Sequence, residues 1–272
     1  MHTRSVTVDE MYGDPGLTDD AIAALLQRSL QPRPATMLYD KIGALGLTSH
    51  HHLLDLGCRD AAHTCVLVKR YGCRALGVDP VACNLALAEK LIAEQGLTDQ
   101  LRVAHGHAGA IPAADGSFDY IWCRDVLTHV PDLPAALRDC FRVLQPGGAM
   151  LIYLTLATEL LEPNEAARLY GPLAMVPSNM EAANVEAAAL AAGFTIVEHD
   201  RIDSEWREWW EENGDPRTST QLLALARLRR DRDRLRAELG EVNYAVELAN
   251  CQWGVYQMLG KLCPQIYVLR KN

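Results

Sequence analysis

The sequence predicts an α/β fold in which helices cover both faces of a seven-stranded, mostly parallel sheet. Three observations carry that expectation. Short, near-continuous apolar runs alternate with stretches of helical periodicity, as strands buried on both faces do. The first such run, LLDLG at 53–57, ends in an aspartate and a glycine that close a strand and open a turn. With 272 residues and 49% hydrophobic side chains, the chain can bury one large core with elaborations around it, rather than two independent folds.

In chain order, TDDAIAALLQRSLQ (18–31) has a Thr/Asp cap followed by apolar residues at helical spacing, and predicts the first helix. QPRPATM interrupts it, a short helix follows at 36–45, and the first strand spans 52–57. Alternating units come next: helix 61–71, strand 74–79, helix 81–97 ended by Gly96, and strand 101–106. Strand 118–123, a helix at 133–144 closed by QPGG, strand 149–155, helix 181–192 and strands 194–200 and 265–270 complete the pattern. Residues 157–180 and 203–263 fall outside it and are expected as helical insertions. Together with N-terminal helices in 1–48, they are expected to form a substrate lid on a core of 49–202 plus 264–272, over the crevice at the carboxyl ends of the strands.

The formal charge is −9 and the pI about 5.5, so no positive field draws the chain to nucleic acid or anionic lipid. No apolar run reaches the roughly 18 residues of a spanning helix. MHTRSVTVDEMYGDPG lacks the apolar centre of a signal peptide, so a cytoplasmic location is expected. The eight cysteines form no C-x-x-C pair and several sit in apolar runs, which points to reduced, mostly buried thiols. The HHH run at 50–52 lacks companion ligands, and no metal is expected. The oligomeric state is left open.

LLDLGCRDA, then GVDP, SFDYIWCRDVLTHVPD and RVLQPGGAMLI stand in an order and spacing that resemble the class I S-adenosylmethionine-dependent methyltransferases, especially the branch acting on small molecules. The resemblance covers about residues 50–200 and the final strand. It implies a Rossmann-like doubly wound core, S-adenosyl-L-methionine as cofactor and S-adenosyl-L-homocysteine as product. The insertions lie outside it, where the substrate would be chosen.

Asp55 and Gly57, followed by Cys58 and Arg59, would place backbone N–H groups toward the methionine part of the cofactor, with Gly57 needed for close approach. The next two places where such turns carry glycine hold Arg59 and Ala61. A pyrophosphate needs glycine there, so the turn argues against a nicotinamide cofactor. The Arg59 guanidinium either turns outward or reaches the cofactor's carboxylate. Asp79, ending the second strand, is expected to accept hydrogen bonds from both ribose hydroxyls. Pro80 and Val81 would contact the adenine. His107 and Ala108 stand where the family offers it an acidic and a small residue, and Arg124, with Asp125, stands where the family wraps the methionine moiety.

His129, five residues past Arg124, is the leading catalytic candidate, because similar methyltransferases place a histidine here facing the transferred methyl. A neutral imidazole can take a proton from an attacking hydroxyl, amine or ring carbon, although a histidine that packs at a helix start explains the same letter. Methyl transfer is an in-line displacement in which alignment supplies most of the catalysis. The stretch SEWREWWEENGDP offers Glu205 as a second proton acceptor and Trp206, Trp209 and Trp210 either as walls for an apolar or cationic group or as packing anchors. Glu162 could orient substrate or simply sit at the start of a Pro-capped helix. Tyr256 and Tyr12 complete the substrate-binding candidates. RLRRDRDRLR (227–236) reads as a phosphate clamp or as the solvated face of one helix whose leucines at 222, 225, 228, 235 and 239 turn inward.

The expected function is therefore methyl transfer to an oxygen, nitrogen or carbon of a small, partly apolar specialised metabolite. The alternative is a noncatalytic or repurposed protein that binds the cofactor or its demethylated product. The acidic pI argues against an RNA or protein substrate.

Overall fold

The computed structural model describes residues 5–13, 18–26 and 32–272, divided into one unit over 1–32 and another over 33–272. The first unit contains α1 (Val8–Tyr12) and α2 (Asp19–Leu26). A capping box starts α1: the Thr7 hydroxyl accepts from the Glu10 N–H while the Glu10 carboxylate accepts from the Thr7 N–H. Thr18 caps α2 by accepting from the Ala21 N–H. The last part of the helix expected at 18–31, residues 27–31, lies outside the described residues.

The second unit alternates strands and helices nearly as expected. It begins with α3 (Met37–Ala44), β1 (His52–Leu56), α4 (Ala62–Tyr71), β2 (Arg74–Asp79), α5 (Ala82–Glu94) and β3 (Leu101–His105). β4 (Phe118–Arg124), α6 (Leu133–Val143), β5 (Leu144–Ala157), α7 (Pro163–Tyr170), α8 (Ala182–Ala191) and β6 (Thr195–Arg201) follow. The chain closes with α9 (Glu205–Glu212), α10 (Arg217–Arg230), α11 (Arg232–Leu239), α12 (Glu241–Met258) and β7 (Leu262–Arg270). Among the described residues the sheet has seven strands in the order β3-β2-β1-β4-β5-β7-β6. β1 to β5 run parallel, and β7 runs antiparallel to both β5 and β6.

Alternation along each strand divides the core between the two faces. Leu54, Leu56, Ile121, Cys123, Met150 and Ile152 belong to one buried cluster, with α6 and α8. Leu53, Tyr120, Trp122, Leu151 and Tyr153 belong to the other, with α3, α4 and Trp206. Strands buried on both faces must be apolar at every position, which is why they were legible as continuous runs. All eight cysteines are free thiols, and seven are buried.

Three details differ from the expectations. QPGG does not close α6: it belongs to β5, which begins at Leu144, and Gly147 donates its N–H to the Lys271 carbonyl while Lys271 donates back to Gly148. The arginine-rich stretch is not one helix, since the chain breaks at Asp231 between α10 and α11. Of its leucines, 225 and 228 are buried, whereas Leu222 and Leu239 face solvent, because α12 covers only one side of the pair.

Candidate active site

The strand order reverses beside β1, between β2 and β4, and a crevice opens there beyond the strand ends. It is a cavity of about 1160 Å³ lined from the β1 turn, the ends of β2 and β4, the segment after β3 and the first turn of α6.

The β1 turn resolves the missing-glycine problem. Gly57, Arg59 and Ala61 have φ of 74°, 51° and 57°, so the turn places three alternating residues in the left-handed region. The places where glycine was expected thus keep a glycine-favouring conformation, although only the first is glycine. A side chain there would be strained, since φ is 74° and a Cβ at Gly57 would meet Val126 Cγ2 at 2.3 Å. The expected direction of the N–H groups needs correction: Gly57 and Cys58 both donate to the Val78 carbonyl (2.7 and 3.1 Å), and Arg59 donates to Asp79 Oδ2 (3.0 Å). These donors brace the turn against β2 and do not point at a ligand. Cys58 is buried beneath the turn, and burial pushes its thiol pKa up, which keeps it protonated. The Arg59 side chain is exposed on the cavity wall and has no hydrogen-bond or ion-pair partner among the described residues.

Asp79 Oδ1 accepts from the Val81 N–H (2.9 Å) and Asn84 Nδ2 (3.1 Å), in addition to the Arg59 bond on Oδ2. A carboxylate has about four acceptor positions, so one on Oδ2 stays open. The carboxylate therefore keeps one acceptor position for a further donor, one fewer than the two hydroxyls expected of it, and a second donor would have to compete with Asn84. Pro80, His107 and Ala108 also line the cavity. His107 Nδ1 accepts from the Gly109 N–H (3.2 Å), which puts the proton of the neutral ring on Nε2 as a free donor.

Asp55 is buried at the end of β1, where the Thr64 hydroxyl donates to it and burial raises its pKa from 3.8 to about 7. His63, in the first turn of α4, was not singled out in the sequence. Arg124 Nη1 donates to its Nε2 (2.6 Å), and its Nδ1 lies 2.5 Å from the Tyr39 hydroxyl. Burial and the Arg124 charge lower its pKa to about 4, so the ring is neutral. Only its position two residues past the third glycine place could have flagged it.

Arg124 lines the cavity, and its guanidinium sits over aromatic rings. The guanidinium lies 5.5 Å from the Tyr153 ring centre and 5.9 Å from that of Trp206, and Trp206 stacks on Tyr153 at 4.6 Å. Arg207 and Arg217 lie over Trp210 in the same way. Two of the three rings that could attract a cationic substrate, Trp206 and Trp210, thus lie under the protein's own arginines.

His129 lines the cavity on a 3₁₀ turn, Leu127–His129. Its Nδ1 donates to the Ala174 carbonyl (3.1 Å), leaving Nε2 of the neutral ring as an acceptor. The first insertion builds this arrangement: buried Asn179 donates to the carbonyls of Leu127 and Val130, both at 2.8 Å, and the Val176 N–H donates to Thr128. Neither Ala174 nor Asn179 carried a sequence signal, since both act across long chain separations.

The remaining candidates lie elsewhere. Glu205 accepts from the Arg33 backbone N–H (3.1 Å), Nε (2.7 Å) and Nη2 (2.8 Å), and this pairing holds its carboxyl below the usual range. Glu162 forms a capping box with Glu165 at the start of α7. Trp206 and Tyr256 are buried in packing clusters, and Trp209 is a half-buried residue of α9. None of these five lines the cavity. Tyr12 ends α1 in the N-terminal unit, while the cavity belongs to the other unit.

Comparison with known proteins gives a family match over the strands that border this cavity. Residues 54–152 match the family described as a methyltransferase domain. Methyltransferase GfsG of Streptomyces halstedii is 31% identical over 120 residues, which are 44% of this chain and 42% of that protein. The chain thus spans less than half of that relative. Among solved structures, the [4+2]-cyclase SpnF superposes with a TM-score of 0.66 at 20% identity, covering 87% of this chain and 81% of that one. Geranyl diphosphate C-methyltransferase from Streptomyces coelicolor A3(2) gives a TM-score of 0.65 at 12% identity, covering 87% and 77%. Residues 54–152 thus match a methyltransferase domain, and the strand order and the crevice at the strand ends accord with that match.

Proposed function

We propose that the protein transfers a methyl group from S-adenosylmethionine to an oxygen, nitrogen or carbon of a small, partly apolar specialised metabolite, in one displacement and in the cytoplasm. The observation that supports this reading best is His129: its Nδ1 is fixed by Ala174 and its free Nε2 belongs to the wall of the same cavity as Asp79. Bound S-adenosylmethionine would supply an electrophilic methyl on a sulfonium.

The chain's own residues supply the rest. Asp79 would hold a ribose hydroxyl on its open acceptor position, and His107 Nε2–H would donate to the adenine edge beside Pro80 and Ala108. The exposed Arg59 guanidinium would reach the carboxylate of the methionine moiety, with Gly57 and Cys58 forming the floor and Asp55 and Arg124 the wall behind it. His129 Nε2 would take the proton of the attacking group as the new bond forms. Glu205 is a poor second base, because Arg33 holds it ionised and engaged. Glu162, Trp206, Trp209 and Tyr256 would then act on substrate through the insertions they stabilise, not by contact in the cavity described. Isothermal titration with S-adenosylhomocysteine and S-adenosylmethionine tests the reading: saturable heat is expected with both, and none with either in folded protein overturns it.

A further inference from the structure

Outside the cofactor cavity, the second insertion contains a cavity of about 410 Å³ lined by Arg207, Trp210, Asp215, Arg217, Thr220 and Gln221. Arg207 is 9% exposed and has no carboxylate within ion-pair distance among the described residues. Its Nε donates to Gln257 Oε1 (2.7 Å) and its Nη1 to Gln221 Oε1 (2.8 Å), both neutral amides, while Nη2 has no partner among the described residues. A buried charge is ordinarily paired, because desolvation disfavours it strongly. Burial here lowers the guanidinium's pKa from its ordinary value.

The neighbouring charges do not neutralise it. Asp215 accepts from Arg217 Nε (2.6 Å), and Arg217 lies 4.2 Å above the centre of the Trp210 ring. Glu211 caps α10, accepting from the Thr218 and Ser219 N–H groups (2.7 and 3.1 Å). The Thr218 hydroxyl, one residue from Arg217, is buried without a partner. The packing is also built around the guanidinium: Gly254 sits inside α12, where a Cβ would come within 1.7 Å of Gln221 Oε1 and 2.9 Å of Arg207 Nη1. Glycine weakens a helix interior, so its place here reflects the close approach it permits.

We infer that this cavity binds a small organic carboxylate. One negative charge matches the unpaired positive charge of this cavity, and the Nη2 N–H groups, with the second N–H of Nη1, are the donors left to bond the two oxygens of a carboxylate. Trp210 lines the same cavity beneath the two guanidiniums, and Thr220, exposed on α10, adds a hydroxyl with no hydrogen-bond partner among the described residues.

The test titrates sodium benzoate into the full chain saturated with S-adenosylhomocysteine, by calorimetry and thermal shift, against sodium chloride at equal ionic strength and against inorganic phosphate. Saturable benzoate binding and a rise in melting temperature are expected, with phosphate binding more weakly. Arg207→Met should weaken benzoate binding at least tenfold and Arg217→Gln about threefold, while S-adenosylhomocysteine affinity stays within twofold. Arg217 is exposed, so its variant reads the site even where Arg207→Met fails to fold. The proposal is overturned by benzoate that acts no differently from chloride, by phosphate that binds more tightly, or by unchanged affinity in both variants. Loss of S-adenosylhomocysteine binding would count against the methyltransferase reading alone.

Discussion

The β1 turn and the second insertion make opposite use of their sequences. The turn departs from its expected letters, with Arg59 and Ala61 in place of glycines, yet its backbone keeps three left-handed residues and the cavity beside them. The insertion has the more suggestive letters, three tryptophans among glutamates, yet Arg124, Arg207 and Arg217 lie over two of the rings, Trp206 and Trp210, and Trp206 is buried against Tyr153. Backbone geometry fixed by strand ends survives substitution, whereas side-chain chemistry depends on which distant partner arrives. That contrast can be broken at several points.

The largest effect is expected at Asp79. Asp79→Ala removes the proposed ribose acceptor and also leaves the Arg59 N–H, the Val81 N–H and Asn84 Nδ2 without their shared partner. Hydrogen bonds to a charged group contribute about 1.5–3 kcal/mol each, so S-adenosylhomocysteine affinity should fall roughly a hundredfold. Calorimetry showing unchanged affinity would remove Asp79 from the site. The matching change in the insertion, Trp209→Ala, should leave that affinity within about twofold, because Trp209 does not line the cavity.

Asn179→Ala comes next. It strips the partners from two carbonyls on the His129 turn and should destabilise the fold by about 2 kcal/mol, read as a shift in the urea midpoint. Turnover should fall more than S-adenosylhomocysteine affinity does, since the affected turn carries the proposed proton acceptor and Asp79 is untouched. Equal losses in both would mean that the first insertion serves the whole cavity and not His129 in particular.

A smaller, pH-dependent effect separates two buried groups beside the turn. Asp55 has a folded pKa of about 7, raised from 3.8, so between these values the folded protein keeps a proton that the unfolded chain releases. Its contribution to stability therefore falls as pH rises through that window. His63 does the reverse: its folded pKa of about 4 lies below the ordinary 6.5, so the unfolded chain binds a proton that the folded protein refuses, and stability rises with pH between the two. Each slope is at most about 1.4 kcal/mol per pH unit, and the two oppose one another from pH 4 to 6.5. Urea unfolding between pH 5 and 7 should show a shallow profile for the native chain, a rising one for Asp55→Asn and a falling one for His63→Gln. Parallel profiles for the two variants would mean that neither group titrates as described.

The sheet was legible in the sequence because each strand had to be apolar on both faces, and the strands at 52–56 and 74–79 emerge within a residue of their expected bounds. Asp79 and His129 were legible because they fall at fixed offsets from strand ends. His63 and Asn179 were not, because each matters through a partner from another segment: Arg124 for His63, and the carbonyls of Leu127 and Val130 for Asn179. The arginine stretch misled for a related reason. The leucine spacing predicts one helix, yet the chain breaks at Asp231, a residue of low helix propensity, and the two pieces pack separately on α12.

The smallest expected effect bears most directly on the turn. Arg59 has a φ of 51°, a conformation that a non-glycine residue occupies at a cost of order 1 kcal/mol, and its side chain has no partner among the described residues. Arg59→Gly should therefore raise stability by about 0.5–1 kcal/mol, despite glycine's greater freedom in the unfolded chain. Ala61→Gly should gain less, because Ala61 is fully buried and its methyl group is lost from the core. The two readings of the guanidinium then part on cofactor affinity. An arginine that turns to solvent predicts tighter folding and unchanged S-adenosylhomocysteine binding. One that reaches the methionine carboxylate predicts the same gain in folding with binding weakened about tenfold, and weakened less for an analogue lacking that carboxylate. In the second case the side chain has kept its strained place because the ligand repays it, and the loss with Arg59→Gly should be larger at low salt than at high salt.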